Sequence, residues 1–351
     1  MSSAIEVGVL GATGAVGQQF VSLLAGHPWF RLTWLGASER SAGRRYADAV
    51  SWRLAGDGPG PAGDLVIEAA RPGRAPHLLF SALDASAAGE IEAAFAAAGH
   101  LVVSNARNYR LHDAVPLVVP EVNPDHLALL DTQSSVLGWP GRIVTNPNCS
   151  TVVLSMALAP LRPFGLRRAV VTTLQAVSGA GYPGVPSLDI LGNVVPFIGG
   201  EEDKIERETP KILGTLDGGR VAPHDVSISA HTTRVPVLDG HTEMVSLEFD
   251  RSPARADLAA ALASFTGLPQ QLQLPSAPAR PIVVLEDDDR PQPRLDAGRG
   301  RGMTVSVGRL RPCPVLHWKL VALGHNAVRG AAGAAILNAE LMIATKSPEI
   351  G

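Results

Sequence analysis

Two cysteines, Cys149 and Cys313, stand among 351 residues. Cys149 lies in the polar turn Asn146-Pro147-Asn148-Cys149-Ser150-Thr151 and opens an apolar, helix-like run from Ser150 to Leu161. A thiol at a helix N-terminus feels the positive end of the helix dipole, which favours thiolate. Backbone N–H groups of such a turn also hold a developing oxyanion, and Asn148 is expected to contribute through its own. A thiolate so placed is a nucleophile for acyl transfer. Its polar neighbours set it apart from an ordinary buried cysteine. Cys313, between Pro312 and Pro314, reads as structural. The chemistry further needs an acid/base, and composition does not choose among ten histidines.

A second chemical feature opens the chain. Ile5 to Leu10 is a short strand-like run, Gly11-Ala12-Thr13-Gly14-Ala15-Val16-Gly17 follows, and a helical pattern continues from Gln18 to Ala25. Glycines between a strand and a helix let backbone approach a pyrophosphate, and the helix N-terminus offers it N–H groups. The middle glycine stands one position later than in the usual G-x-G-x-x-G. The expected contacts are Gly11, Thr13, Gly14, Ala15, Val16 and Gly17. After a second strand, Leu32 to Ala37, comes Ser38-Glu39-Arg40-Ser41. An acidic residue there favours NAD, and an arginine accommodates a 2′-phosphate. Arg40 between the hydroxyls of Ser38 and Ser41 directs the reading to NADP.

The remaining elements must carry these sites. His77 to Ala82 and His100 to Ser104 read as strands around an Ala-rich helix, Ala85 to Ala98, so the first part is a parallel α/β sheet. Beyond Thr151 the texture becomes α+β. Longer alternating strands are expected at Ala169 to Ala176 and Glu243 to Phe249, joined by Ile282 to Val284 and Thr304 to Leu310. Leu274 to Gly302 reads as a long surface loop, and Gly330 to Ile343 as a helix. The expected fold is α/β: an N-terminal Rossmann-type NADP-binding domain (residues 1–147, with 326–351 packing back on it) and an α+β catalytic and dimerisation domain with a mixed sheet (148–325).

Length and composition agree with this plan. About 150 residues per domain suggests two domains. The chain is 46% hydrophobic and 18% charged, which excludes a disordered polymer. A net charge of -3 gives no footprint for nucleic acid. A core this size needs neither disulfides nor metal to fold. No apolar run approaches the ~20 residues of a membrane span. The N-terminus lacks the basic start of a signal peptide, and the cytoplasm is the expected compartment.

The motifs, taken in order, resemble the aspartate-β-semialdehyde dehydrogenase family, in the branch typical of archaea and fungi. They are the glycine turn at 11–17, Asn146 to Thr151, Gln175-Ala-Val-Ser-Gly-Ala-Gly181, Glu201-x-x-Lys204 within the run to Thr209, His231-Thr-Thr-Arg234-Val-Pro-Val-Leu-Asp-Gly-His241, and Asn326-Ala-Val-Arg-Gly-Ala-Ala-Gly333. The resemblance covers nearly the whole chain. It implies NADPH-dependent, reversible reductive dephosphorylation of aspartyl-4-phosphate to aspartate-4-semialdehyde, in biosynthesis of lysine, threonine and methionine. It implies that Cys149 is the nucleophile, His241 the acid/base, and Gln175 the amide that orients the thiohemiacetal. It places the substrate carboxylate on Arg234, its ammonium on Glu201, and its phosphate on Lys204 and Arg110, with Asn148 beside the nucleophile. Ser178, Gly179 and Asn326 would lie against the cofactor. The partners implied are a small-molecule substrate, phosphate and further copies of the chain, as a homodimer or homotetramer joined through the second domain's sheet. A malonyl-CoA reductase of the same superfamily shares most of these residues and stays open. A non-catalytic homologue is the remaining alternative, although Cys149, Gln175, Arg234 and His241 are all retained. Gly would be usual before the cysteine in an N-acetyl-γ-glutamyl-phosphate reductase, where this chain has Asn148.

Overall fold

The computed structural model describes residues 4–345. Backbone contacts divide them into two units. The first comprises residues 4–118, 125–146 and 338–345, and the second residues 119–124 and 147–337.

The first unit is built on six strands: β1 (Ile5–Leu10), β2 (Phe30–Ala37), β3 (Ile67–Ala69), β4 (Leu78–Ser81), β5 (Leu101–Ser104) and β6 (Arg142–Thr145). They run parallel in the order β3-β2-β1-β4-β5-β6. Every residue of β4, β5 and β6 is buried, as a sheet covered on both faces requires. The apolar runs therefore show no alternation. Helix α1 (Ala15–Leu24) follows β1 and buries Phe20, Val21 and Leu24, with Phe20 stacked on Phe80 at 5.1 Å. Helix α2 (Ala85–Ala97) is capped by Asp84, whose carboxylate accepts from Ser86 N. Leu10, Trp34, Leu79, Phe95, Val102, Val115 and Ile143 close the core.

This strand order is the doubly wound dinucleotide-binding one, with the reversal beside β1. The glycine turn sits at that point. Gly11 has φ +75°, and a Cβ there would lie 2.6 Å from the Ala82 carbonyl oxygen. A Cβ on Gly17 would lie 2.2 Å from Gly11 O, so α1 packs on the turn only through a glycine. Gly14 differs: its Cβ would meet nothing closer than 3.5 Å. The protein's own packing would accept a side chain there, and the space it would fill lies at the uncapped start of α1. That is the shape of a phosphate cradle.

The second unit holds α3 (Cys149–Leu158), β7 (Leu166–Gln175), α4 (Glu201–Ile212), β8 (Ser227–Arg234), β9 (His241–Phe249), β10 (Ile282–Leu285), β11 (Val305–Pro312) and β12 (Trp318–Gly324). Its mixed sheet runs β8-β7-β9-β12-β11-β10. The β8/β7 and β10/β11 pairs are parallel and the others antiparallel. Along β9, His241, Glu243, Val245, Leu247 and Phe249 are buried, while Met244 between them is half exposed. The sheet thus has one covered face, with α3 among its contacts, and one open face.

Three expectations change. Strands β8 and β12 were not expected. Residues 274–302 are not a plain surface loop. Besides the expected strand at Ile282 to Val284, seen as β10, they contain the helical turns Pro293–Asp296 and Arg299–Gly302. Asp296 is fully buried there, gripped by Arg290 and Arg299 and by Gln292 N at 2.8 Å. Those partners turn a polar composition inward. Last, the C-terminal segment divides. Residues 326–337 group with the second unit and 338–345 with the first, the change falling inside helix α5 (Gly333–Ala344). Arg329 binds Glu121 in the second unit, whereas in the first Asn338 donates to Asn146 and Glu340 meets His27 at 2.7 Å.

We expect Gly17→Ala to lower stability by about 1–3 kcal/mol, the usual cost of overpacking. A thermal melt of variant against parent reads this directly, and an unchanged midpoint would contradict the close approach.

Candidate active site

Cys149 is the first residue of α3, and Asn148 is its N-cap. The Asn148 Oδ1 accepts from Ser150 N at 3.0 Å and Thr151 N at 3.1 Å, which satisfies two of the helix's unpaired donors. Its Nδ2 donates to Glu201 at 2.7 Å and lies 4.0 Å from Cys149 Sγ. Its backbone N–H donates to the buried Glu208 carboxylate at 2.6 Å. That bond corrects the expectation that the Asn148 backbone serves an oxyanion: the donor is already committed.

Glu201 begins α4, and the side chain of Lys204, one turn on, reaches its second oxygen at 2.9 Å. Burial acts to raise the Glu201 pKa, but Lys204, the Asn148 amide and His241 outweigh it and hold the carboxyl below its ordinary range. The Glu201–Lys204 ion pair, three residues apart on α4, is mostly buried.

Arg234 ends β8 and His241 begins β9. Arg234 Nη1 donates to Ala176 O at 2.7 Å, and His241 Nδ1 accepts from Ala176 N at 3.1 Å. Both are thereby hung on the residue after Gln175. With Nδ1 an acceptor, the neutral ring carries its proton on Nε2. The ring is fully buried, and burial, then Arg234, push its pKa down to about 3. Arg234 is also lowered by burial, against the opposing pull of Cys149 and Glu201. Gln175 is buried, with Nε2 3.3 Å from Thr173 Oγ1.

Gly179 closes over this pair. A Cβ there would lie 2.8 Å from Arg234 Nη1 and about 3 Å from the His241 ring. The turn Val177–Ala180 is held by Asn326, whose Nδ2 donates to Ser178 Oγ and whose Oδ1 accepts from Gly240 N, each at 2.8 Å. Asn326 thus ties the Ser178 loop to the turn that delivers His241.

The second unit therefore brings together Cys149, Asn148, Gln175, Ser178, Gly179, Glu201, Lys204, Arg234, His241 and Asn326. Gly11 to Gly17, Ser38, Arg40, Ser41 and Arg110 belong to the first. Arg110 is buried and donates to Asn105 O at 2.7 Å. Ser38 and Arg40 are exposed in the turn after β2, while Glu39 pairs with Arg71 at 2.8 Å.

Four residues escaped the sequence reading. Glu208 and Glu243 are buried carboxyls; Glu243 has no hydrogen-bond partner among the described residues. Burial, then Glu201, raise its pKa well above the carboxylate range. The spacing His241-x-Glu243 was the available signal, since alternate strand residues share a face. The other two are Arg329 and Gly330, in the π-helical turn Val328–Ala332. A Cβ on Gly330 would lie 2.6 Å from Cys149 Cβ, and Arg329 is locked to Glu121 at 2.6 and 2.8 Å.

A doubly wound sheet with a phosphate-shaped turn, and a unit presenting a capped cysteine, an imidazole and a guanidinium, define the class as a dinucleotide-dependent dehydrogenase. The family profile described as "Semialdehyde dehydrogenase, NAD binding domain" matches residues 6–130, and "Semialdehyde dehydrogenase, dimerisation domain" matches 158–329. The chain is 52% identical to an aspartate-semialdehyde dehydrogenase of Archaeoglobus fulgidus, over 97% of this chain and 98% of that protein. It is 52% identical to one from Cryptococcus neoformans, over 97% of each. A crystal structure of the Candida albicans enzyme with NADP superposes with a TM-score of 0.90 at 45% identity, covering 98% of this chain and all of that one. The chain belongs to the aspartate-semialdehyde dehydrogenase family.

The His241 geometry makes a prediction about charge. An unfolded histidine binds its proton near pH 6.5, but this ring refuses it down to about 3. Its contribution to stability is therefore full above pH 6.5 and is lost as pH falls toward 3. Ring ¹⁵N resonances should report a neutral Nε2–H ring at pH 5; an imidazolium signal there would contradict the assignment.

Proposed function

We propose that the protein catalyses the NADPH-dependent reductive dephosphorylation of L-aspartyl-4-phosphate to L-aspartate-4-semialdehyde, and its reverse. The observation that carries this reading is the Cys149 thiol at a capped helix start, surrounded by Glu201, Arg234 and His241. Family membership at about half identity supports it.

Each residue has a chemical task. Cys149 attacks the acyl carbon and displaces phosphate, so the acyl group is carried as a thioester on the enzyme. NADPH, when bound, supplies hydride chemistry. Gly11, Thr13, Gly14, Ala15, Val16 and Gly17 would cradle its pyrophosphate, and Ser38, Arg40 and Ser41 its 2′-phosphate. Glu39 is paired with Arg71, and Arg40 is the cation we assign to that group. Ser178, Gly179 and Asn326 shape the loop beside the thiol.

Arg234 presents a planar fork to the substrate's α-carboxylate. Glu201, held ionised, receives the α-ammonium, and Lys204 and Arg110 receive the phosphate. His241 holds a proton at Nε2, where it is placed to be given to oxygen in a tetrahedral intermediate and recovered from it. Gln175 orients the same oxygen. A buried carboxylate prepared for an ammonium favours an amino acid derivative over malonyl-CoA.

The open face of the mixed sheet, where Val170 and Met244 are half exposed, is the surface we assign to a homodimer. Pairing of dimers would give a tetramer. We assign the protein to the cytoplasm, where thiols such as Cys149 and Cys313 stay reduced.

With aspartate semialdehyde, phosphate and NADP, the purified protein should generate NADPH; faster turnover of malonyl-CoA would replace the substrate assignment. Cys149→Ser should abolish turnover while NADP binding, by fluorescence titration, stays close to that of the parent. Arg40→Ala should weaken NADP by about tenfold or more, the scale of one charge-assisted contact, and leave NAD nearly unchanged. Equal weakening of both would remove Arg40 from the 2′-phosphate.

A further inference from the structure

The π-helical turn Val328–Ala332 reaches both the nucleophile and the acid/base. Gly330 N donates to His325 O at 3.0 Å and closes a loop that contains Asn326 and Arg329. Ala332 N donates to Ala327 O at 3.1 Å and continues the same pattern. At one end of the loop, the Gly330 backbone packs on Cys149: an added Cβ would lie 2.6 Å from the Cys149 Cβ, the atom that carries the sulfur. Toward the other end, Asn326 Oδ1 accepts from Gly240 N at 2.8 Å, and Gly240 is followed by His241. One short stretch of backbone thus runs from beneath the thiol to the turn that delivers the imidazole. Such π-turns are uncommon and concentrate at functional sites.

Arg329 fixes this loop from within. Its side chain is fully buried, Nη1 and Nη2 donate to the two Glu121 oxygens at 2.8 and 2.6 Å, and Nε donates to Met303 O at 2.7 Å. Three bonds from one plane set orientation as well as place. The footing of the pair is itself closed. Val119 N donates to Asn123 Oδ1 at 2.8 Å and Asn123 N to Val119 O at 3.1 Å, around the turn that presents Glu121. Neither Arg329 nor Glu121 has a task in the chemistry assigned above. An apolar pair would have filled the same place without the desolvation of two ions.

Resting on the assignment of Cys149 as nucleophile and His241 as acid/base, we propose that Glu121 and Arg329 are positioning residues for the reaction. Through the loop from His325 to Gly330 they set where the thiol stands relative to the imidazole. The tetrahedral intermediate on sulfur must present its oxygen to the His241 proton. A displacement of about 1 Å in such a geometry costs on the order of a hundredfold in rate. The ion pair serves the reaction through direction, in which an apolar pair cannot replace it.

Stability and positioning separate in the full-length double variant Glu121→Leu/Arg329→Met, which removes both ions and stays near their size. Its melting temperature should lie within about 4 °C of the parent, since apolar replacement of a buried pair is often neutral. Its kcat should fall about ten- to a hundredfold, with KM for aspartate semialdehyde changed by less than about threefold. Alkylation by iodoacetamide, followed on the Cys149 peptide by mass spectrometry, needs the thiolate but no transfer to or from the imidazole. It should stay within about threefold of the parent. A parent-like kcat overturns the assignment, and so does a fall in kcat matched by an equal fall in alkylation. If the double variant does not fold, Arg329→Lys, which keeps the charge and loses the fork, is judged by the same split between kcat and alkylation. A last measurement needs no turnover. In Arg329→Lys, amide hydrogen exchange should quicken by about tenfold at Gly330 and at Gly240, while Val170 to Thr172 in β7 keep the parent's rates. Exchange unchanged at Gly240, or quickened equally in β7, overturns the coupling. If the parent fails to turn over aspartate semialdehyde, the functional reading falls while the exchange comparison still judges the role of Arg329.

Discussion

The start of α3 must satisfy two demands that oppose each other. A helix N-terminus has unpaired N–H groups and a positive dipole end, so it attracts oxygen ligands and negative charge. The same dipole is what makes the thiol of Cys149 useful. Every carboxylate drawn to the cap weakens that benefit. Asn148 reconciles the two by capping with a neutral amide oxygen. Its remaining donors then hold Glu201 and Glu208 beside the cap. These two lie seven residues apart, close to two full turns, which puts them on one face of α4. The charge they bring is offset by Lys204 and Arg234. Most of the site's other contacts follow from keeping this balance while burying it.

Burial then makes chemically similar groups differ. Glu201 and Glu243 are both buried carboxyls. Glu201 has Lys204 and the Asn148 amide and is held low, whereas Glu243 has no hydrogen-bond partner among the described residues and is raised. Burial thus opposes a second negative charge beside Glu201. His241 is neutral for a related reason: burial and Arg234 disfavour a second cation. Environments that separate titrating groups in this way allow a proton to be held at one atom and an anion at another.

Much of this was legible in the sequence, and the reasons for the remainder are physical. The glycine turn was readable because only glycine tolerates the approach at Gly11 and Gly17, and β1 was readable because its apolar run ends there. Cys149 was readable because an asparagine-rich turn precedes an apolar helix. Strand β8 was missed because Ser227-Ile228-Ser229-Ala230-His231 looks like surface; half of it faces a polar interior. The segment 274–302 was misread because Asp296 is buried by arginines that are themselves counted as surface residues. Glu208, Arg329 and Glu121 act across long sequence separations, so no local pattern marks them. Motif order did identify Arg234, Glu201 and His241, for which composition and periodicity are silent.

The floor beneath the nucleophile shows why such distant residues matter. Gly330 passes so close to Cys149 that a methyl group would not fit between them. The approach is only as firm as the π-helical turn that makes it, and π-turns are rarely stable on their own. Here Arg329 anchors the turn, with its guanidinium on both oxygens of Glu121 and its Nε on Met303 O at 2.7 Å. Neither side chain of the pair is exposed. Removing one partner of a fully buried pair costs on the order of 3–5 kcal/mol, because the other is left charged and unmatched. A well-packed apolar pair could have stabilised the fold at least as well. What the ion pair adds is direction: a bidentate fork fixes the turn in position and orientation. The backbone beneath Cys149 is thereby a floor that cannot move cheaply.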